Sequence, residues 1–158
     1  MTQHSIPPAA GAPRALAHVS IAVPDAEATA AQYAALFGAT VRSRETVAAR
    51  GLHVVFLDVA GTPIELVQPV DPEDLSNTVA KFLKTRGPGL HHVAWFVDDA
   101  EVALAHARAA GARLVDETPR AGADSCRVAF LHPASTAGVL SEFVQGGRHA
   151  PPPRETAE

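Results

Sequence analysis

Two histidines and two glutamates recur at matched places along this 158-residue chain. His18 stands near the start of Leu16-Ala17-His18-Val19-Ser20-Ile21-Ala22-Val23-Pro24-Asp25. His92 stands at the same place in Leu90-His91-His92-Val93-Ala94-Trp95-Phe96-Val97-Asp98-Asp99, 74 positions later. Glu65, in Pro63-Ile64-Glu65-Leu66-Val67-Gln68, is answered 77 positions on by Glu142, in Leu140-Ser141-Glu142-Phe143-Val144-Gln145. Two imidazoles and two carboxylates suit a borderline divalent cation such as Co(II), Ni(II), Zn(II), Mn(II) or Fe(II). Four protein ligands on a six-coordinate ion leave two neighbouring positions, which a substrate with two oxygens can occupy.

Each residue alone has a plainer reading. A histidine at a strand start is more often hydrogen-bonded structure than a ligand, and a lone strand glutamate is usually a solvated edge residue. The repeat changes that balance, because it needs two coincidences at equivalent places. Glu65 is flanked by Ile64 and Leu66, and Glu142 by Ser141 and Phe143. An acid in such a strand is costly unless it is paired or binds a metal.

The elements that must position these residues follow from periodicity. Successive strand side chains face opposite ways, so His18, Ser20 and Ala22 share one face while Val19, Ile21 and Val23 cover a helix on the other. The same count puts His92 beside His18 and turns His91 away. After each such strand, Asp25 or Asp99 is placed to cap a helix. The helices are expected over Ala26 to Phe37, ended by Gly38, and over Ala100 to Ala110. Further strands are expected over Val41–Glu45, His53–Val59 and Ile64–Gln68 in module one. Module two matches them with Ala112–Asp116, Arg127–Leu131 and Val139–Val144. The pattern predicts an α+β fold of two tandem β-α-β-β-β modules, forming a curved mixed sheet around a metal cleft. Module one spans 15–70 and module two 89–146. A linker over 71–88 carries a short amphipathic helix. Residues 1–14 and 147–158, rich in proline and glycine, are expected as disordered tails.

A net charge of -4 gives no electrostatic footprint for nucleic acid. No apolar run reaches the roughly 18 to 20 residues of a membrane span. A single cysteine, Cys126, excludes an internal disulfide framework and suits a reducing compartment, with the cytoplasm as the expected location.

The motifs His18 to Asp25, Ile64-Glu65-Leu66, Val79-Ala80-Lys81-Phe82-Leu83, Gly89-Leu90-His91-His92-Val93-Ala94 and Phe130-Leu131-His132-Pro133 resemble the vicinal oxygen chelate superfamily. The His-His and Phe-Leu-His-Pro stretches resemble its methylmalonyl-CoA epimerase branch in particular. The resemblance runs from about Leu16 to Gln145. It implies a divalent metal (Co, Zn, Ni or Mn) on His18, Glu65, His92 and Glu142, with Glu142 also catalytic. It implies an acyl-CoA substrate whose C2 proton is removed and returned, and usually a homodimer. Arg50, Arg120 and Arg127 are the candidate substrate-binding cations. Part of the family carries glutamate, thought to act as a base, where this chain has Val54, and lysine where it has Ala134. A glyoxalase-type lyase acting on a thiol-aldehyde adduct is the alternative enzyme. A metal-free protein that sequesters small molecules is the alternative of another class.

Overall fold

The capping residues set the boundaries as the sequence requires. In the computed structural model, which describes residues 9–151, β1 (Ala15–Ala22) ends just before Asp25. The Asp25 carboxylate accepts the Ala28 N–H, opening α1 (Ala26–Phe37). Gly38 closes that helix at φ 65°, a left-handed conformation that a side chain disfavours. β2 (Thr40–Val47), β3 (Leu52–Val59) and β4 (Thr62–Pro69) complete module one. Asn77 then caps α2 (Thr78–Arg86), the inter-module helix.

Module two repeats the plan with β5 (Gly89–Phe96), α3 (Ala100–Ala109), β6 (Arg120–Ala121), β7 (Arg127–Leu131) and β8 (Ser141–Gln145). The repeat extends to single atoms. Gln68 accepts the first N–H of α1, from Ala26, and Gln145 accepts the first N–H of α3, from Ala100. Each glutamine thus satisfies one orphan donor of its helix and locks helix to sheet.

The strands form one eight-stranded sheet in the order β2-β3-β4-β1-β5-β8-β7-β6. Exchanging the modules leaves this order unchanged. β1 pairs parallel with β4, β5 pairs parallel with β8, and β1 meets β5 antiparallel at the centre. Two apolar clusters bury the helices against one face: Val23, Ala26, Ala30, Leu57 and Leu66 under α1, and Val97, Ala100, Leu104, Ala129 and Phe143 under α3. The opposite, concave face carries Ala94, Phe96, Val128, Phe130 and Val144 in module two, with Leu52, Val54, Val67 and α2 closing the module-one end. The far edges come together across this concavity, where Glu45 of β2 accepts the Asp124 N–H at 2.8 Å.

The strand expected over Ala112–Asp116 is reduced to a single bridge between Leu114 and Leu131. Two features break the ladder. The Phe130 N–H is taken by the Asp116 carboxylate instead of a backbone carbonyl, and Pro119 has no N–H to give. Edge pairing resumes only at β6, two residues long. Of the tails expected to be loose, residues 1–8 and 152–158 lie outside the described residues. Residues 9–14 are anchored: the Arg14 N–H donates to the Phe96 carbonyl, and Gly11 sits against the α3 backbone, where a Cβ would come within 2.9 Å of the Ala103 Cα. Beyond β8, Arg148 donates backbone and side-chain hydrogens to Asp124. Among the described residues no helix is long and apolar enough to cross a membrane.

Candidate metal centre

Strand register brings the four predicted donors together. In β1–β4, Glu65 lies opposite Ser20, two residues beyond His18; in β5–β8, Glu142 lies opposite Ala94, two residues beyond His92. Antiparallel pairing of β1 with β5 then sets His18 against Ala94 and Ser20 against His92. All four side chains therefore meet at the middle of the concave face. The two Nε2 atoms are 3.2 Å apart. Glu142 Oε2 is 3.2 Å from each of them, and Glu65 Oε2 is 3.4 Å from His18 Nε2 and 3.5 Å from His92 Nε2. Neighbouring donors on one ion held by bonds of about 2.1 Å lie roughly 3.0 to 3.4 Å apart, a spacing that His18, His92 and Glu142 match, with Glu65 at its outer limit.

Burial and charge point the same way. The residues His18, Glu65, His92 and Glu142 are 7%, 6%, 3% and 2% exposed. Two carboxylates so deeply enclosed need positive charge beside them. Burial alone would push the His18 imidazolium toward neutrality, but the charges of and bonds to Glu65 and Glu142 outweigh it and raise its pKa to about 10. Burial likewise works to raise the Glu65 pKa, yet the His18 charge and bond bring it down to about 2. Glu142 is also held below the usual carboxylate range: His92 and His18 overcome its burial. Ser20 Oγ, fully buried between Glu65 and His92 in the strand pairing, has no hydrogen-bond partner among the described residues. An orphaned hydroxyl beside two imidazoles and two carboxylates is the polar surrounding that a hydrated or substrate-bearing divalent ion satisfies.

The donors His18, Glu65 and Glu142 help line a cleft whose walls include Arg50, Phe56, Phe96, Val128 and Val144. Arg50 reaches in with its guanidinium 5.7 Å from the Phe130 ring centre and, among the described residues, forms no ion pair. Arg120 stacks over the same ring at 5.5 Å, with its Nε paired to Asp116. Arg127 is placed elsewhere. It shares the helix-side face of β7 with Ala129 and Leu131 and pairs with Glu101 of α3 at 2.7 Å, so it does not reach the cleft. Alternation from the cleft-lining Val128 already sends residue 127 outward.

His91 also departs from expectation. The strand count turned it away from His92, yet their Nδ1 atoms are 2.8 Å apart. The pairing of β1 with β5 skips His91, with Ser20 opposite His92 and Ile21 opposite Leu90. Such a bulge breaks the period of two and brings successive side chains to one face. The matching bulge in β1 skips Ala17, which joins His18 in lining the cleft. Val54, at the place where part of the family has glutamate, is 2% exposed beneath α2 and packs with Leu52, Val67 and Val79. His132 caps the turn after β7 by accepting the Ala134 N–H, a structural task. Phe96 is a cleft wall, whereas Trp95 lies on the other side of β5, 37% exposed.

Known proteins resemble this chain over most of its length. Residues 17–130 match the model of the glyoxalase/bleomycin resistance protein/dioxygenase superfamily. The chain is 39% identical over 132 residues to the ethylmalonyl-CoA/methylmalonyl-CoA epimerase of Cereibacter sphaeroides, covering 82% of this chain and 96% of that protein. The crystal structure of methylmalonyl-CoA epimerase from Mycobacterium tuberculosis superposes with a TM-score of 0.76 at 36% identity, over 84% of this chain and 87% of that one. A variant of the Streptomyces coelicolor methylmalonyl-CoA epimerase, solved with 2-nitronate-propionyl-CoA, gives 0.77 at 30% identity, over 85% and 99%. With its paired modules, its four converging donors and these relatives, the chain belongs to the glyoxalase/bleomycin resistance protein/dioxygenase superfamily, on its methylmalonyl-CoA epimerase branch.

Proposed function

We propose that this protein is a metal-dependent epimerase that inverts C2 of methylmalonyl-CoA or a similar 2-substituted acyl-CoA. The observation that carries the reading is the meeting of His18, Glu65, His92 and Glu142, two from each module, at a cleft lined by Arg50, which forms no ion pair among the described residues. Bound there, a divalent cation (Co, Zn, Ni or Mn) supplies positive charge to oxygens that become negative when the C2 proton leaves. The chain's own groups do the rest. Glu142 is an anionic carboxylate at the cleft and accepts the C2 proton. Arg50 pairs with the substrate's anionic end, and Phe56, Phe96 and Val128 exclude water around the reacting carbon. Residue 54 takes no part in the proton chemistry, because a valine side chain has no group that accepts or donates a proton.

The acyl-CoA substrate class is supported by the Streptomyces coelicolor relative, solved with an acyl-CoA analogue. The resemblance further implies a homodimer. The single cysteine, Cys126, suits a reducing cytoplasm. The deciding experiment follows the C2 proton of methylmalonyl-CoA by NMR in deuterated solvent, with Co(II) supplied. Exchange accompanied by inversion is expected; no exchange with the ion bound removes the reading. A further prediction concerns Arg50. Arg50→Gln raises KM about tenfold and leaves kcat within a few fold, as expected when one charge-assisted contact of about 1.5 kcal/mol to bound substrate is lost. Steady-state kinetics check it, and an unchanged KM removes Arg50 from the substrate site.

A further inference from the structure

We propose that His91 is a positioning residue for the metal centre: its Nδ1 accepts the Nδ1–H of His92 and fixes the tautomer that turns a bare Nε2 toward the cation. The inference rests on the metal-centre reading above and concerns how one ligand is held.

Three observations carry it. The first is the bulge, which sets the adjacent rings on one face with their Nδ1 atoms 2.8 Å apart. Two ring nitrogens at that distance share one proton. A neutral imidazole that offers Nε2 to a metal carries its proton on Nδ1, so His92 is the donor and His91 the acceptor. His91 then holds its own proton on Nε2.

The second observation is how His91 is itself held. Its ring packs edge-on against Phe82 of α2, with centres 5.1 Å apart, and Arg86, one turn further along α2, stacks over the Phe82 ring at 5.5 Å from its centre. α2 is anchored in turn to module one. The Asn77 side chain donates to the Arg50 carbonyl at 2.9 Å and to the Gly51 carbonyl at 3.2 Å, while its oxygen caps the helix. The inter-module helix thereby holds a module-two ligand in register with module one.

The third is the break in symmetry. The equivalent bulge residue in module one is Ala17, whose methyl offers no acceptor. Everything else about the two histidines repeats: strand position, glutamate register and concave face. The His91 acceptor is an addition to the repeat and acts on His92 alone.

The test uses the full chain, stripped of metal and titrated with Co(II) against a competing chelator. His91→Phe keeps a ring against Phe82 but removes the acceptor; His91→Asn puts an amide oxygen near the place of Nδ1. The Phe variant is expected to lose about 10- to 100-fold in Co(II) affinity and to shift the visible Co(II) bands, while the Asn variant recovers most of both. Wild-type affinity and bands in His91→Phe overturn the proposal, provided the wild type binds the ion. If the wild type takes up no ion, the metal-centre reading is what fails. Should His91→Phe not fold, nitrogen-15 NMR of the Zn(II)-loaded wild type decides: a proton on His92 Nδ1 supports the proposal, and one on His92 Nε2 overturns it.

Discussion

Replacing Glu142 by glutamine abolishes C2 proton exchange, with a fall of about 10²- to 10⁴-fold, the range lost with a positioned general base. Glutamine keeps the shape and one ligand oxygen of the 2%-exposed glutamate, so β8 and its parallel pairing to β5 are undisturbed. An amide oxygen is far less basic than a carboxylate, so proton acceptance is what disappears. The closeness of Glu142 Oε2 to both Nε2 atoms, 3.2 Å each, also suits it to hold the proposed ion. The two roles separate by measuring metal content alongside exchange. A variant that retains the ion yet exchanges nothing assigns the loss to the base. Undiminished exchange in the loaded variant removes Glu142 from proton transfer. Glu65→Gln is the matched comparison, since it alters the equivalent carboxylate of module one.

The sequence made the donors legible because the fold is a repeat and the chemistry sits on the repeat's symmetric places. Gln68 and Gln145 show how far this reaches: both perform the same helix-capping task. What stayed hidden broke the repeat or the strand period. The bulge at His91 leaves no trace in apolar alternation, because residues 91 and 92 are both histidine. The only clue was the comparable Ala17-His18 pair, which carries no chemistry at position 17. The strand lost before β6 was foreshadowed by Pro119, yet the decisive event, Asp116 taking the Phe130 N–H, is a tertiary contact across 14 positions. The Glu45 bond to Asp124 spans 79 positions and depends on sheet curvature, which no local pattern encodes. Arg127 has the charge of a substrate-binding group, but period-two counting along β7 places it beside α3.

Metal uptake releases a proton, and apparent affinity climbs about tenfold per pH unit below pH 10 for each ligand proton displaced. His18 is the source. Burial opposes its charge, but Glu65 and Glu142 hold its pKa up at about 10, so at neutral pH the metal-free site contains an imidazolium bridging two carboxylates. Its Nε2 cannot bind a cation until that proton leaves. Between pH 6 and 8 this single proton changes apparent affinity by about 100-fold. Calorimetric titration in buffers of different ionisation enthalpy counts the protons released; a count of zero rules out His18 as a ligand displaced from its imidazolium form. The same proton governs the metal-free fold. His18 has a folded pKa raised above its ordinary 6.5, so its stabilising contribution is complete below about 6.5 and is lost as pH rises through about 10. Glu65, lowered from 4.5 to about 2, contributes above about 4.5 and loses that contribution as pH falls through about 2. Burial holds the His91 pKa down at about 4, so stability is also lost as pH falls from about 6.5 toward 4; the metal-free protein therefore has its highest Tm near pH 6.5 and softens toward alkaline pH. A divalent ion takes over the neutralising task of the His18 proton and binds the folded state more tightly as pH rises, so the Tm gap between loaded and metal-free protein widens across that same range.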